Sequence, residues 1–218
     1  MSECLETIYS KRFAGSEALR DQVWRVLTGD FFQRWVKEDA AVLDLGAGYC
    51  EFINNIRAAR KYALDLNPST AAKAATGIIV LTQDVGKPWA LPSASLDVVF
   101  TSNFFEHLPS KQALQHCMTE ALRILRPGGR LLALGPNIRF CADVYWDFFD
   151  HHLPLSDRSL TEGLEITGFH TEKVIEKFLP FTMKGKQPPS PALVRAYLKL
   201  PWAWTLWGKQ FFVVARKP

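Results

Sequence analysis

Two kinds of pattern are missing from this sequence, and each absence excludes a class of protein. The four cysteines lie far apart and form no C-x-x-C pair, which argues against a zinc site or a disulfide framework. No apolar run is long enough to cross a membrane as a helix, and the first residues are too polar for a secretory signal. We therefore expect a cytoplasmic protein.

The length and composition fit one globular domain. The chain has 218 residues, and 48% of them are hydrophobic, which is enough for a sizeable core. We expect a single domain over residues 1–218, with an N-terminal helical region at 1–40 and a lid-like insertion at about 182–208.

The net charge of +4 conceals an uneven distribution. Residues 171–218 carry nine Lys or Arg against two acids, whereas residues 1–170 carry seventeen against twenty. A basic end of this kind suits an anionic substrate, a lipid surface or nucleic acid, and it is also typical of an ordinary solvated face.

Short apolar runs alternate with helical patterns along the chain, which is typical of α/β proteins. The runs are apolar enough to lie buried on both faces of a parallel sheet. Strands are predicted at 41–45, 62–66, 78–81, 97–101 and 130–134, with two more near 173–179 and 210–215. Helices are predicted at 17–36, after an N-cap at Ser110, at 156–167 before Gly168, and at 192–200 before Pro201.

The stretch "VLDLGAGYCEF" at residues 42–52 predicts a strand, a glycine turn and a helix. Such a turn presents backbone N–H groups to a ligand, although it can also be a tight turn that binds nothing. Asp65 follows Asp44 by 21 residues, a spacing typical of a carboxylate that accepts hydrogen bonds from ribose hydroxyls. The third glycine of the pattern G-x-G-x-x-G would fall at Glu51, which counts against NAD.

From Val42 onward the chain resembles the class I S-adenosylmethionine-dependent methyltransferase family. The likeness rests on "DLGAG", "ALDLNP", "TQDV", "SLDVVFTSNFFEHL" and "LRILRPGGRLLAL". It implies S-adenosylmethionine as the cofactor and a doubly wound, mostly parallel, seven-stranded Rossmann-like sheet with an antiparallel last strand. It further implies that the glycine turn contacts the methionine part, Asp65 the ribose and Asp84 the adenine edge. The whole expected cofactor-binding set is Asp44, Gly46, Ala47, Gly48, Asp65, Leu66, Asp84, Val85 and Asn103. Cys50 stands where many members have a small residue, and we expect it to pack in the interior.

Two histidines are candidate catalytic residues, His107 as a base and His151 as a base or a substrate-orienting group. His107 follows the fourth strand, at the carboxyl end of the sheet where ligands bind, although a loop histidine can equally be a packing or capping residue. His151 lies in a long aromatic segment after the fifth strand, expected to build part of a pocket, in which Trp146, Phe148 and Phe149 are expected to pack in the core. Adjacent histidines at 151 and 152 are a weak metal signal, so no metal is expected.

These features predict methyl transfer to a small-molecule or lipid-linked acceptor, at oxygen. The alternative from another class is a non-catalytic binding or assembly protein that keeps the fold, and a nucleotide-dependent oxidoreductase comes third. DNA is not expected as the substrate, because Pro136-Asn137 lacks the aromatic residue and the proline that follow in the amino-methylating nucleic-acid enzymes. The oligomeric state is left open.

The insertion contains Trp202, Trp204 and Trp207 among several lysines. We expect either a lid whose tryptophans pack on the core, or a surface that docks on the inner face of an anionic membrane. At the other end of the chain, Tyr9 is expected to lie over the cofactor.

Overall fold

The computed structural model describes residues 17–181 and 189–218, which form a three-layer α/β arrangement around one sheet. The seven strands are β1 Ala41–Leu45, β2 Arg60–Asp65, β3 Ile78–Thr82, β4 Leu96–Ser102, β5 Leu125–Pro136, β6 His170–Ile175 and β7 Gln210–Arg216. Their order is β3-β2-β1-β4-β5-β7-β6, and only β7 runs antiparallel to its neighbours. The predicted sheet with an antiparallel last strand is confirmed.

The helices lie on both faces of this sheet. They are α1 Glu17–Val26, α2 Glu51–Asn55, α3 Ser69–Lys73, α4 Lys111–Ile124, α5 Ile138–Tyr145, α6 Asp157–Thr167, α7 Pro191–Leu198 and α8 Pro201–Trp207. Leu114 of α4 and Leu160 of α6 belong to the core on one face, whereas Val26 of α1 and Val194 of α7 belong to the core on the other. Burial on both faces explains why the central strands are almost continuously apolar.

Two of the predicted helix boundaries are confirmed by their caps. The Ser110 hydroxyl accepts a hydrogen bond from the Ala113 amide at 3.2 Å at the start of α4. Helix α6 ends at Gly168, which adopts a φ of +109°. Strand β5 begins at Leu125 rather than at residue 130, because Leu125 already pairs with Leu96 across a register shift.

The N-terminal helix is shorter than predicted. It is α-helical only to Val26 and continues as a π turn over Leu27–Phe31 and a 3₁₀ turn over Phe32–Trp35. Gly29 weakens a regular helix there. Phe31 and Phe32, at the junction of the two irregular turns, are both buried.

The described part of the insertion forms two helices rather than one. Helix α7 ends at Leu198, and Pro201 then begins α8, where its fixed φ and missing N–H suit the first turn. Residues 182–188 and Tyr9 lie outside the described residues. No helix among those described is both long and apolar enough to cross a membrane.

Candidate active site at the carboxyl edge of the sheet

The glycine turn between β1 and α2 is tightly folded. Gly46, Gly48 and Cys50 all have positive φ, at +72°, +51° and +63°. A Cβ at Gly46 would clash with the ring of Phe104, so only glycine fits against that ring. Helix α2 has five residues, so it offers only a small N-terminal dipole, contrary to what the motif suggests.

Cys50 is the departure from the family pattern, and its expected packing role is confirmed. The side chain is fully buried, and its Sγ lies 3.6 Å from the carbonyl oxygen of Thr70. Its own amide donates to Ala47 at 2.7 Å, which supports the left-handed backbone. Burial raises the pKa of the Cys50 thiol to about 12, so the side chain is an inert apolar group at neutral pH.

Three carboxylates converge beside this turn: Asp44, Glu51 and Asp65. Burial raises the pKa of Asp44 well above its usual range, an Ile53 N–H opposes this, and the charges of Asp65 and Glu51 raise the pKa further. Burial likewise raises the pKa of Asp65. Glu51 is paired with Arg20 at 2.7 Å, so the carboxyls of Asp44 and Asp65 are the two beside the turn whose ionisation burial opposes.

Asp65 is held by the backbone. One carboxylate oxygen accepts from the Gly48 amide at 2.7 Å, and the other accepts from the Asn67 amide at 2.8 Å. A carboxylate oxygen can accept more than one hydrogen bond, so both remain able to receive a ribose hydroxyl. Asp65 thus joins the turn after β1 to the end of β2 with its acceptors already oriented.

We predict that Asp44→Asn raises the stability of the cofactor-free protein, and that this gain increases as the pH rises. Folding raises the pKa of the Asp44 carboxyl above its ordinary value of 3.8. Its contribution to the stability of the folded state is therefore fully present below pH 3.8 and is lost as the pH rises through the pKa of the folded state. Asparagine keeps the acceptor for the Ile53 N–H and cannot ionise. The variant should melt higher than the unmodified protein at pH 7 by roughly 2–4 °C, the shift that about 1 kcal/mol produces in a chain of this size.

The control is Asp39→Asn, which removes an exposed carboxylate just before the same strand. Thermal unfolding measured from pH 4 to pH 8 checks the prediction. A difference between Asp44→Asn and the unmodified protein that is as large at pH 4 as at pH 8 would contradict it.

The other predicted cofactor residues lie at the same edge, because each follows a parallel strand. Leu66 follows β2, Asp84 and Val85 follow β3, and Asn103 follows β4. Asp84 is exposed and accepts from the Gly86 amide at 2.8 Å, and Asn103 has a φ of +48°. Their contacts with a cofactor remain predictions.

His107 lies at this edge with its ring orientation fixed. Its Nδ1 is 2.8 Å from the carbonyl oxygen of Asp150 and 3.4 Å from the carboxylate of the same residue. A carbonyl oxygen only accepts, so Nδ1 carries the hydrogen and the lone pair of the neutral ring is on Nε2. The charge of His107 also lowers the pKa of Asp65, which places the ring within electrostatic reach of the predicted ribose site.

The structure brings His151 to His107, with ring centroids 5.1 Å apart. His151 is buried, stacked on Phe148 at 4.8 Å and packed against Tyr145 at 4.5 Å. His152 is exposed, so the adjacent histidines do not share one site.

A third residue, Glu106, completes a group that the sequence analysis missed. Glu106, His107 and His151 each offer a ligand atom, all within 4.8 Å of one another, and these three could hold a metal ion. Residues 106 and 151 are far apart in sequence, and no motif links them. The one available signal was topological: both residues follow parallel strands, whose carboxyl ends lie at the same edge of the sheet. The expectation of no metal remains a prediction.

The long segment after β5 differs from the prediction in two places. Phe148 is buried as expected, but Trp146 is 60% exposed and Phe149 is 89% exposed. Tyr145 takes the interior position instead, fully buried with its hydroxyl donating to Leu153 at 2.7 Å. The chain turns outward directly after that anchor, which leaves the next ring in solvent.

Asn137 and Arg139 anchor the start of this segment. The Asn137 amide donates to Asp157 at 2.7 Å and to the carbonyl of Glu176 at 3.0 Å, and Arg139 pairs with Asp157 at 2.9 Å. Asn137 is fully buried. Both residues therefore hold the segment in place.

Comparison with known proteins agrees with this arrangement. The family described as "Methyltransferase domain" matches residues 43–133, which run from β1 into β5. A protein of Mycolicibacterium smegmatis named "Probable S-adenosylmethionine-dependent methyltransferase" is 38% identical over 91 residues. That match covers 40% of this chain and 34% of the relative, so the chain matches about a third of the relative's length.

Solved structures show the same fold at lower identity. The crystal structure of a SAM-dependent methyltransferase from Archaeoglobus fulgidus has a TM-score of 0.69 and 20% identity, over 97% of this chain and 99% of that one. The [4+2]-cyclase SpnF has a TM-score of 0.64 and 17% identity, over 89% and 80% of the two chains. The fold alone therefore does not fix the reaction, and the assignment rests on the matched sequence. Through residues 43–133, this chain matches the methyltransferase domain family.

Proposed function

We propose that the protein transfers the methyl group of S-adenosylmethionine to an oxygen atom of a small-molecule or lipid-linked acceptor. The observation that carries the proposal is the pair of carboxyls, Asp44 and Asp65, beside the glycine turn, where Glu51 is already paired with Arg20. A sulfonium cation is attracted to such a site, whereas the pyrophosphate of a dinucleotide is repelled by it. The charge of the site thus favours S-adenosylmethionine over NAD independently of the missing third glycine.

The residues of this chain would assist the transfer in two ways. Methyl transfer needs the acceptor oxygen in line with the sulfonium methyl and shielded from water. The bound cofactor would supply the methyl group to the acceptor oxygen, and Nε2 of His107 would accept the proton that the acceptor hydroxyl loses. The Asp150 carboxylate, 3.4 Å from Nδ1, would stabilise the resulting imidazolium. His151, packed beside His107, is the second candidate for the base.

Exposed aromatic rings near this site support an apolar acceptor. Trp146 and Phe149 lie in the segment that leads to His151, and most of each side chain faces solvent. Large exposed rings beside a candidate site can contact an apolar ligand.

A non-catalytic binding or assembly protein is the alternative. It would keep the carboxylates and the glycine turn but would not need the oriented Nε2 of His107. Transfer of a labelled methyl group therefore separates the two functions, whereas cofactor binding does not.

We predict by calorimetry that the protein binds S-adenosylmethionine and its demethylated product and does not bind NAD measurably at millimolar concentration. Labelled S-adenosylmethionine should then mark a component of a lipid or small-molecule extract. Tighter binding of NAD, or no binding of either sulfur ligand, would overturn the cofactor assignment. Cofactor binding without any labelled product in extracts that contain both acceptor classes would favour the non-catalytic alternative.

A further inference from the structure

The surface formed by residues 189–209 combines exposed apolar rings with basic charge. Five of its large apolar side chains are 40–65% exposed: Leu193, Leu200, Trp202, Leu206 and Trp207. The rings of Trp202 and Trp207 lie 6.2 Å apart. We call these five side chains the apolar surface. A monomeric protein rarely exposes so many large apolar groups together unless they contact something.

Helix α8 is built to present this surface. Ala203 is buried, and Trp204 packs edge-on against Phe178 at 5.1 Å and against Phe31 at 5.9 Å. Trp202 and Leu206 are four residues apart and therefore share the opposite face. The lid hypothesis required all three tryptophans of the insertion to pack on the core, but only Trp204 does so.

The charged residues in the sequence around the apolar surface are all basic. Residues 177–218 contain eight Lys or Arg and no Asp or Glu. Arg195 and Lys209 reach acids on other elements, Asp30 and Asp143. Lys199, directly before the exposed Leu200, is exposed, and among the described residues no carboxylate lies within salt-bridge distance of it.

The apolar surface lies at the same edge of the sheet as the candidate active site. Helix α8 leads through Gly208 into β7, whose first residue, Gln210, pairs with Pro136 at the carboxyl end of β5. The Asn137 amide donates to the Lys209 carbonyl at 2.9 Å. The surface and the segment that leads to His151 are therefore tied to the same strand ends.

We infer that the apolar surface docks on an anionic lipid bilayer, and this inference deepens the proposed function by making the acceptor lipid-linked. Tryptophan and lysine together suit the boundary between water and lipid head groups, because the ring has an apolar body and a polar edge and the ammonium pairs with lipid phosphate. Basic residues add attraction to an anionic surface, and salt screens that attraction. A second copy of the chain would meet the same positive charge, which disfavours self-association through this surface.

Vesicle co-sedimentation of the full chain tests the inference without cofactor or acceptor. The protein should bind vesicles of phosphatidylcholine with about one third phosphatidylglycerol at low salt, and should bind phosphatidylcholine alone at least about tenfold more weakly. Binding should fall steeply as the salt concentration rises. Tryptophan emission should be quenched by brominated lipid in the bound state.

Matched variants separate docking from misfolding. The double variant Trp202→Ala and Trp207→Ala, and separately Lys199→Glu, should each weaken binding to the anionic vesicles by about tenfold or more. The controls Ile166→Ala and Lys37→Glu change an exposed apolar and an exposed basic residue at the opposite edge of the sheet, and they should bind normally. Trp204→Ala is unsuitable because that ring packs against Phe31 and Phe178.

Three outcomes would overturn the inference. These are no binding to anionic vesicles at low salt, equal binding by the surface variants, and a dimer of the unmodified protein that the surface variants dissociate. All three can occur while S-adenosylmethionine still binds, so they leave the proposed function standing.

Discussion

His107→Ala should lower turnover by about 10²- to 10⁴-fold while leaving the affinity for S-adenosylmethionine nearly unchanged. The reason is geometric: Asp150 accepts from Nδ1 of His107, so the ring offers Nε2 to the acceptor hydroxyl. Methyl transfer from S-adenosylmethionine to the acceptor, measured with saturating cofactor, gives the turnover, and calorimetry gives the affinity. Added imidazole should restore part of the lost rate, which a purely structural histidine would not permit.

His151→Ala and His152→Ala complete that experiment. His151 is buried beside His107 and is the second candidate base, whereas His152 is exposed and serves as the matched neighbour. We expect His152→Ala to retain normal turnover. If His107→Ala and His151→Ala both methylate at the normal rate, placement of the acceptor alone carries the reaction and the base assignment is wrong.

Asp65→Ala should weaken binding of S-adenosylmethionine by about a hundredfold, which corresponds to roughly 3 kcal/mol. The substitution removes the acceptors for two ribose hydroxyls, and it also leaves the amides of Gly48 and Asn67 without the carboxylate that they now bind. Calorimetry with the cofactor and with its demethylated product measures the loss, which should be large for both because they share the ribose, and larger for the cofactor because only the cofactor carries the positive charge.

Asp39→Ala is the control, since it removes an exposed carboxylate just before β1, at the opposite edge of the sheet from Asp65. A melting temperature for Asp65→Ala within a few degrees of the unmodified protein would show that the loss of affinity is not a loss of folding. Cofactor affinity within threefold of the unmodified protein would remove Asp65 from the binding site.

The sheet and the glycine turn could be predicted because their signals are local. Strand β1 is apolar at four of its five residues, and Gly46 and Gly48 mark a turn within one motif. The N-terminal helix was predicted too long because apolar periodicity does not distinguish an α-helix from the π and 3₁₀ turns that follow Val26.

The candidate base could be located from the sequence, but its surroundings could not. His107 follows a strand, so its position at the sheet edge follows from topology. The carbonyl of Asp150 that orients it belongs to a segment whose path depends on Tyr145 and its hydrogen bond to Leu153. The exposure of Trp146 and Phe149 depends on the same path, and for that reason their predicted burial was wrong.

The two carboxyls beside the glycine turn, Asp44 and Asp65, also bear on how the proposed reaction would end. The sulfonium would become a neutral thioether, so the attraction of these carboxyls for its positive charge would be absent in the product. Contacts to the ribose and the adenine would be the same before and after the reaction. The loss of one positive charge would therefore weaken the binding of the product alone and would favour its exchange for fresh cofactor.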